Sequence, residues 1–266
     1  MLSGQMGVLR HPQRWCSAMS GLFRTLRRRR LAGRPVPEDW RPILEHDLPF
    51  YRRLPGDMEQ RFLGLLKVFV WEKTFIGAGG MEITDRLRVI ISACAVRLVL
   101  CLDLSYYDQL TEIVVYPFVY KHKDEEKALL GEAWDWGTAV LSWPAVWEGL
   151  SRPGQGHETS IHEFAHVLDR GDGAFDGTPR LKARADYRPW AQIMSRHFFR
   201  LRKGDAVERK VLRTYGAVNE AEFFAVATES YFEKPRRLKE LTPDLYAELQ
   251  AFYGGDPATE QEAESL

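Results

Sequence analysis

The sequence predicts an α+β fold in which long helices flank a small sheet. Apolar residues recur at helical spacing over several stretches, two short runs switch to the β-branched and aromatic composition of strands, and the helical pattern then resumes. The chain has 266 residues, 45% of them hydrophobic and 28% charged. That balance belongs to a globular protein and excludes wholesale disorder and fibrous architectures. One folded core is expected. The longest apolar stretch, Val89 to Leu104, is broken by Arg97 and Asp103 and falls short of the roughly 20 residues a bilayer span needs, so no membrane span is expected.

The chain divides into three parts. Residues 1–36 carry the Arg27 to Arg30 run followed by Gly33 and Pro35, and residues 1–37 hold eight arginines and no Asp or Glu. This composition reads as a flexible arginine-rich arm, with an acidic-surface, nucleic-acid or transit-type role as the functional alternatives. It does not read as a secretory signal, because its weakly apolar Leu22, Phe23 and Leu26 precede or interleave with the arginines. Residues 37–254 form the expected domain, and residues 255–266 read as an acidic solvated tail. Beyond the arm, 29 basic residues face 37 acidic ones, so the main body is acidic although the whole chain is formally neutral.

Within the domain, Asp57 follows Pro55 and Gly56 and opens a helix in which Phe62, Leu65, Leu66, Phe69 and Val70 recur at helical spacing. Asp85 opens a second, rich in buried-type residues through Leu102. Thr111–Val119 and Thr138–Trp143 read as strands. Helices return from Thr159 onward, including roughly 187–202, 219–233 and 243–253. Three cysteines, Cys16, Cys94 and Cys101, include no CxxC pair, which argues against a disulfide framework or a cysteine metal site and for a reducing, cytoplasmic setting.

The strongest chemical signal is His162-Glu163-Phe164-Ala165-His166, an HExxH. Residues four apart on a helix project from one face, so two imidazoles can grip one metal ion. Ile161, Phe164, Ala165 and Leu168 supply the apolar stripe that anchors such a helix. Glu163 can then point at a metal-bound water as general base without ligating the metal. A hydrolytic zinc site needs a third protein ligand, and Glu222 in Asn219–Ala225 (NEAEFFA) is the candidate, with His157 and His197 as weaker competitors. Two bland alternatives stand beside this reading. Ser160 with Glu163, and Asn219 with Glu222, also fit capping boxes at helix starts.

Taken together, TAVLSW (138–143), HEFAHVLD (162–169), GAFDGTPRL (173–181) and YGAVNEAEFF (215–224), followed by Glu229 to Phe232, resemble the Mlc titration factor A family of glucose-regulated zinc peptidases. The likeness runs from about residue 40 to 254. It implies a zincin-like domain with one Zn2+ per chain held by His162, His166 and Glu222, with Glu163 as base and aminopeptidase-like action on small peptides. The site is also similar to that of the anthrax lethal factor peptidase domain, which places a tyrosine seven residues before its glutamate ligand. Tyr215 has that spacing to Glu222 and could stabilise the oxyanion; the alternative is a core tyrosine. Asp169 and Glu229 are candidates to orient the metal-bound histidines, or else solvated helix charges.

Enterobacterial members of the family carry a longer segment before the AVLSW-like strand, with a histidine that can cap the metal. Here that segment is short and holds only His122, which puts autoinhibition by such a loop in doubt. Strand Thr138–Trp143 is the expected edge along which an extended peptide aligns. The competing function is a regulatory protein that sequesters a transcriptional repressor. Nucleic-acid binding is the weakest reading, because a single basic tail on an acidic body lacks interleaved aromatics.

Overall fold

The computed structural model describes residues 13–118, 137–155 and 157–259. It begins with helix α1 (Gln13–Ala32), followed by α2 (Trp40–Asp47) and α3 (Gly56–Glu72). The flexible arm expected over residues 1–36 is therefore corrected from residue 21 onward: Leu31 is buried, and Arg28 pairs with Glu72 on α3 and with Asp108. Arginine composition suggested solvation, but two of these arginines find carboxylates on the body. Residues 1–12 lie outside the described residues.

Strand β1 (Thr74–Gly77) follows α3, and α4 (Asp85–Leu98) follows β1. The Thr84 hydroxyl caps α4 by accepting from the Leu87 N–H, 3.3 Å away. Strands β2 (Glu112–Tyr116) and β3 (Thr138–Ser142) complete a parallel sheet in the order β1-β2-β3. In its register Ile113 pairs with both Phe75 and Ala139. Both expected strands exist but are shorter than expected: β2 stops at Tyr116, and β3 stops at Ser142 because that residue caps helix α5 (Trp143–Ser151) and so turns Trp143 into its first residue. Among the described residues β3 pairs only with β2, which leaves it at an edge. His122 lies outside the described residues.

The second half is helical: α6 (Thr159–Asp169), α7 (Tyr187–Arg202), α8 (Glu208–Val211), α9 (Glu220–Glu233), α10 (Pro235–Leu241) and α11 (Pro243–Tyr253). Helix α6 packs against α4, α9 and β3, so it runs through the middle of the molecule. Phe164 on α6 meets Phe69 of α3 edge-on at 6.1 Å and Tyr107 at 5.8 Å. Lys73, just past α3, is buried and donates to the Tyr107 and Leu110 carbonyls at 2.7 and 2.6 Å; burial lowers its pKa to about 8. The acidic tail also needs correction. Asp256 accepts from Tyr246 and Lys239 and Ala258 is buried, so residues 255–259 dock on α10 and α11 rather than trail into solvent. Among the described residues no helix is long and apolar enough to cross a membrane.

Candidate metal centre

The site grows out of the sidedness of α6. Ile161, Phe164, Ala165 and Leu168 are fully buried and fix the helix by one face, which turns His162 and His166 together toward α9. Their Nε2 atoms lie 3.1 Å apart. Ser160 does not cap this helix; its hydroxyl donates to Glu158, the residue at the helix start.

Helix α9 brings the third group. The Asn219 side chain accepts from the Glu222 N–H at 2.9 Å, so the cap anticipated there exists. The Glu222 carboxylate, however, turns toward the histidines, with Oε2 at 3.0 Å from His162 Nε2 and 3.4 Å from His166 Nε2. His162, His166 and Glu222 are all buried and offer ligand atoms within 4.8 Å of one another. Tetrahedral ligands bound at about 2.05 Å sit about 3.3 Å from each other, so a triangle with sides of 3.0, 3.1 and 3.4 Å matches what such an ion requires. The donor set of two imidazoles and one carboxylate suits a borderline cation.

Further groups orient this cluster. Glu229, seven residues on from Glu222 along the same helix α9, places Oε1 2.6 Å from His162 Nδ1 and also receives the Arg213 guanidinium. Burial works against charge on His162, but Glu222 and Glu229 outweigh it and raise its pKa to about 10. For His166 burial prevails and the pKa falls. Burial would raise Glu222, yet the two histidines hold it well below the usual carboxylate range. Asp169, the other expected orienting group, is buried and accepts from the Gly177 N–H at 3.0 Å. Gly177 adopts φ +78°, and a Cβ there would meet the Glu220 carbonyl at 2.4 Å, so only glycine lets this loop close on the start of α9.

Glu163 is half-buried beside this cluster; burial above all, then the Glu222 carboxylate and more weakly that of Glu163, raise the pKa of Tyr215. Tyr215 stands in the turn Thr214–Ala217 and donates from its hydroxyl to Glu222 Oε1 at 3.2 Å. Its ring lies 5.9 Å from that of His162. The two competing histidines are elsewhere: His157 is exposed, and buried His197 meets Glu208 and Asp244 at 2.9 and 3.1 Å.

Two neighbours, Phe175 and Arg170, were not among the expected site residues. Phe175 stacks 5.1 Å from the His166 ring and lies under the Arg170 guanidinium. Phe175 and Arg170, together with Thr138 at the start of β3, line a cleft of about 280 Å³.

The sequence matches the description "glucose-regulated metallo-peptidase M90" over residues 23–254. The chain belongs to this metallo-peptidase family. An uncharacterized protein of Synechocystis is similar at 36% identity, with 87% of this chain and 89% of that one covered. Two further relatives are named Mlc titration factor A. That of Pectobacterium atrosepticum is 29% identical over 83% of this chain and 87% of its own, and that of Edwardsiella ictaluri is 28% identical over 79% and 85%. An M90 metallo-peptidase implies a metal ion, and the buried His162, His166 and Glu222 are a group that could hold one.

Proposed function

We propose that this chain is a zinc-dependent peptidase of zincin-like architecture in which His162, His166 and Glu222 hold one zinc ion. The convergence of three buried donor atoms at tetrahedral spacing, two from α6 and one from α9, carries this reading. When bound, zinc supplies a Lewis acid that polarises a carbonyl and brings a water's pKa toward neutrality. Glu163 takes the proton from the attacking water and returns it to the leaving amine. The Tyr215 hydroxyl, held by Glu222 at 3.2 Å in the resting arrangement, swings its hydrogen bond to the carbonyl oxygen as negative charge develops there. Glu229 accepts from His162 Nδ1, which keeps the Nε2 lone pair aimed at the cluster.

An extended substrate would add to the edge of β3, whose parallel pairing with β2 leaves its other side open among the described residues. The family resemblance favours small peptides cut in an aminopeptidase-like manner. The cysteine pattern favours a cytoplasmic location. The test is elemental analysis of protein purified without added metal, followed by a panel of short peptides. About one zinc per chain, lost in Glu222→Ala, with cleavage that disappears on chelation and returns with zinc, is the expected result. Zinc below about a tenth of an equivalent, with none taken up on addition, would overturn the reading.

A second reading rests on the names of the relatives. Those from Pectobacterium and Edwardsiella are called Mlc titration factor A, which suggests that this chain also binds a transcriptional repressor. Such binding needs no base, so it should survive Glu163→Gln, whereas peptide cleavage should not.

A further inference from the structure

Helix α1 is fastened to the body by one face. Arg28 donates through two nitrogens to Glu72 at 2.8 and 2.6 Å, Arg24 and Arg28 both reach Asp108, and Leu31 is buried. At about 100° per residue, these contacts turn Leu22, Phe23 and Leu26 to the opposite side. There they are 63%, 66% and 52% exposed. Arg27, Arg29 and Arg30 surround them, all exposed, and none is paired with a carboxylate among the described residues.

Three large apolar side chains held in water on one ordered helix face are unfavourable unless something covers them. The three arginines say what the cover is. They form a cluster of one sign, and no Asp or Glu occurs among residues 1–37. A second copy of the same face would bring six such arginines together without an acid between them. A nucleic acid would neutralise the arginines and leave Leu22 and Leu26 wet. A bilayer of anionic phospholipid satisfies both halves, since lipid phosphates meet guanidiniums at the depth where Leu and Phe enter the acyl boundary.

We propose that the outer face of α1, formed by Leu22, Phe23, Leu26, Arg27, Arg29 and Arg30, docks this protein on anionic phospholipid membranes. The association is peripheral, because no described helix can span a bilayer. It is also oriented. The rest of the chain carries 37 acidic against 29 basic residues and is repelled by the same surface.

The experiment is flotation of the full chain with phosphatidylcholine vesicles, with and without about 30 mol% phosphatidylglycerol, at about 0.1 M salt. Binding to the anionic vesicles should exceed binding to neutral ones by about 10-fold or more and should weaken as salt rises. The triple variant Arg27→Gln, Arg29→Gln, Arg30→Gln should lose about 10-fold or more of that binding. Leu22→Ser, Phe23→Ser, Leu26→Ser combined should lose as much, with an unchanged Tm, because these side chains already face solvent. The proposal is overturned if the wild type does not prefer anionic vesicles, or if the serine variant binds them as well as the wild type. Equally, it fails if the wild type is a dimer that the serine variant dissociates, or if duplex DNA outcompetes the vesicles.

Discussion

His162 Nδ1 lies 2.6 Å from Glu229 Oε1, and the same carboxylate takes the Arg213 guanidinium on that oxygen and the Glu158 backbone N–H, at 3.3 Å, on the other. Glu229 is fully buried, so its charge depends on these partners for compensation. A bound zinc ion would displace the proton that His162 otherwise holds, and the neutral ring, donating from Nδ1, would present its Nε2 lone pair to the cluster. Glu229→Gln should therefore weaken zinc binding by about 10-fold to 100-fold in competition with a chelator, the range known for such outer partners of ligating histidines. Unchanged zinc affinity would reduce Glu229 to a packing role.

Glu163→Gln separates the base from the donors. The amide is nearly isosteric and cannot accept the water's proton, so turnover should fall by about 100-fold or more while zinc content stays at the wild-type level. Elemental analysis beside the peptide assay reads both quantities. Loss of the metal in this variant would make Glu163 part of the binding cluster and remove its assignment as base.

Tyr215→Phe addresses the hydroxyl that rests on Glu222. If the hydroxyl meets the oxyanion only as charge develops, kcat and kcat/KM should drop together by about 10-fold to 1000-fold with KM little changed. A tyrosine that merely buttressed Glu222 would instead lower zinc affinity and spare turnover per zinc-loaded molecule. The two results are distinguished by titrating zinc during the assay.

Asp256 offers a pH test in the docked C-terminal segment. Burial would raise its pKa, but the Tyr246 hydroxyl, the Lys239 ammonium and the Thr259 N–H prevail and lower it to about 2 from 3.8. A carboxyl depressed in the folded state contributes stability that is fully present above the unfolded value and is lost as pH falls through the folded one. Asp256→Asn should therefore have a lower Tm than wild type at neutral pH, and the gap should close between about pH 4 and pH 2. A gap that persists at pH 2 would show that Asn loses the contact for reasons other than charge.

The long helices were legible because they repeat an apolar stripe and start at recognisable punctuation. Thr84 before Asp85, Asn219 before Glu220 and Pro243 at the start of α11 all stand where a helix begins. Strand β1 was not legible, since Thr74–Gly77 is four residues long and only Phe75 is buried. Helix α1 was misread for a related reason: it is held by arginine-carboxylate pairs and Leu31 rather than by a continuous apolar face. At the site, HExxH announces two histidines from local spacing alone. The partners of those histidines do not announce themselves. Arg213 reaches the cluster from a segment that carries no motif, Phe175 stands in the GAFDGTPRL run with no ligand chemistry to single it out, and Asp169 turns out to hold the Gly177 N–H, a contact that depends on a loop closing.

Because α6 and α9 face each other across a sequence gap of 60 residues between His162 and Glu222, the donor cluster has a history in time as well as a place in space. During synthesis the HExxH segment emerges from the ribosome first, and it waits for Glu222 and then Glu229 before its histidines acquire their carboxylates. A nascent chain, or one clipped ahead of α9, carries two histidines without the groups that complete and aim them. Whatever hydrolytic power this cluster confers is thus withheld until α9 has been made and has folded onto α6.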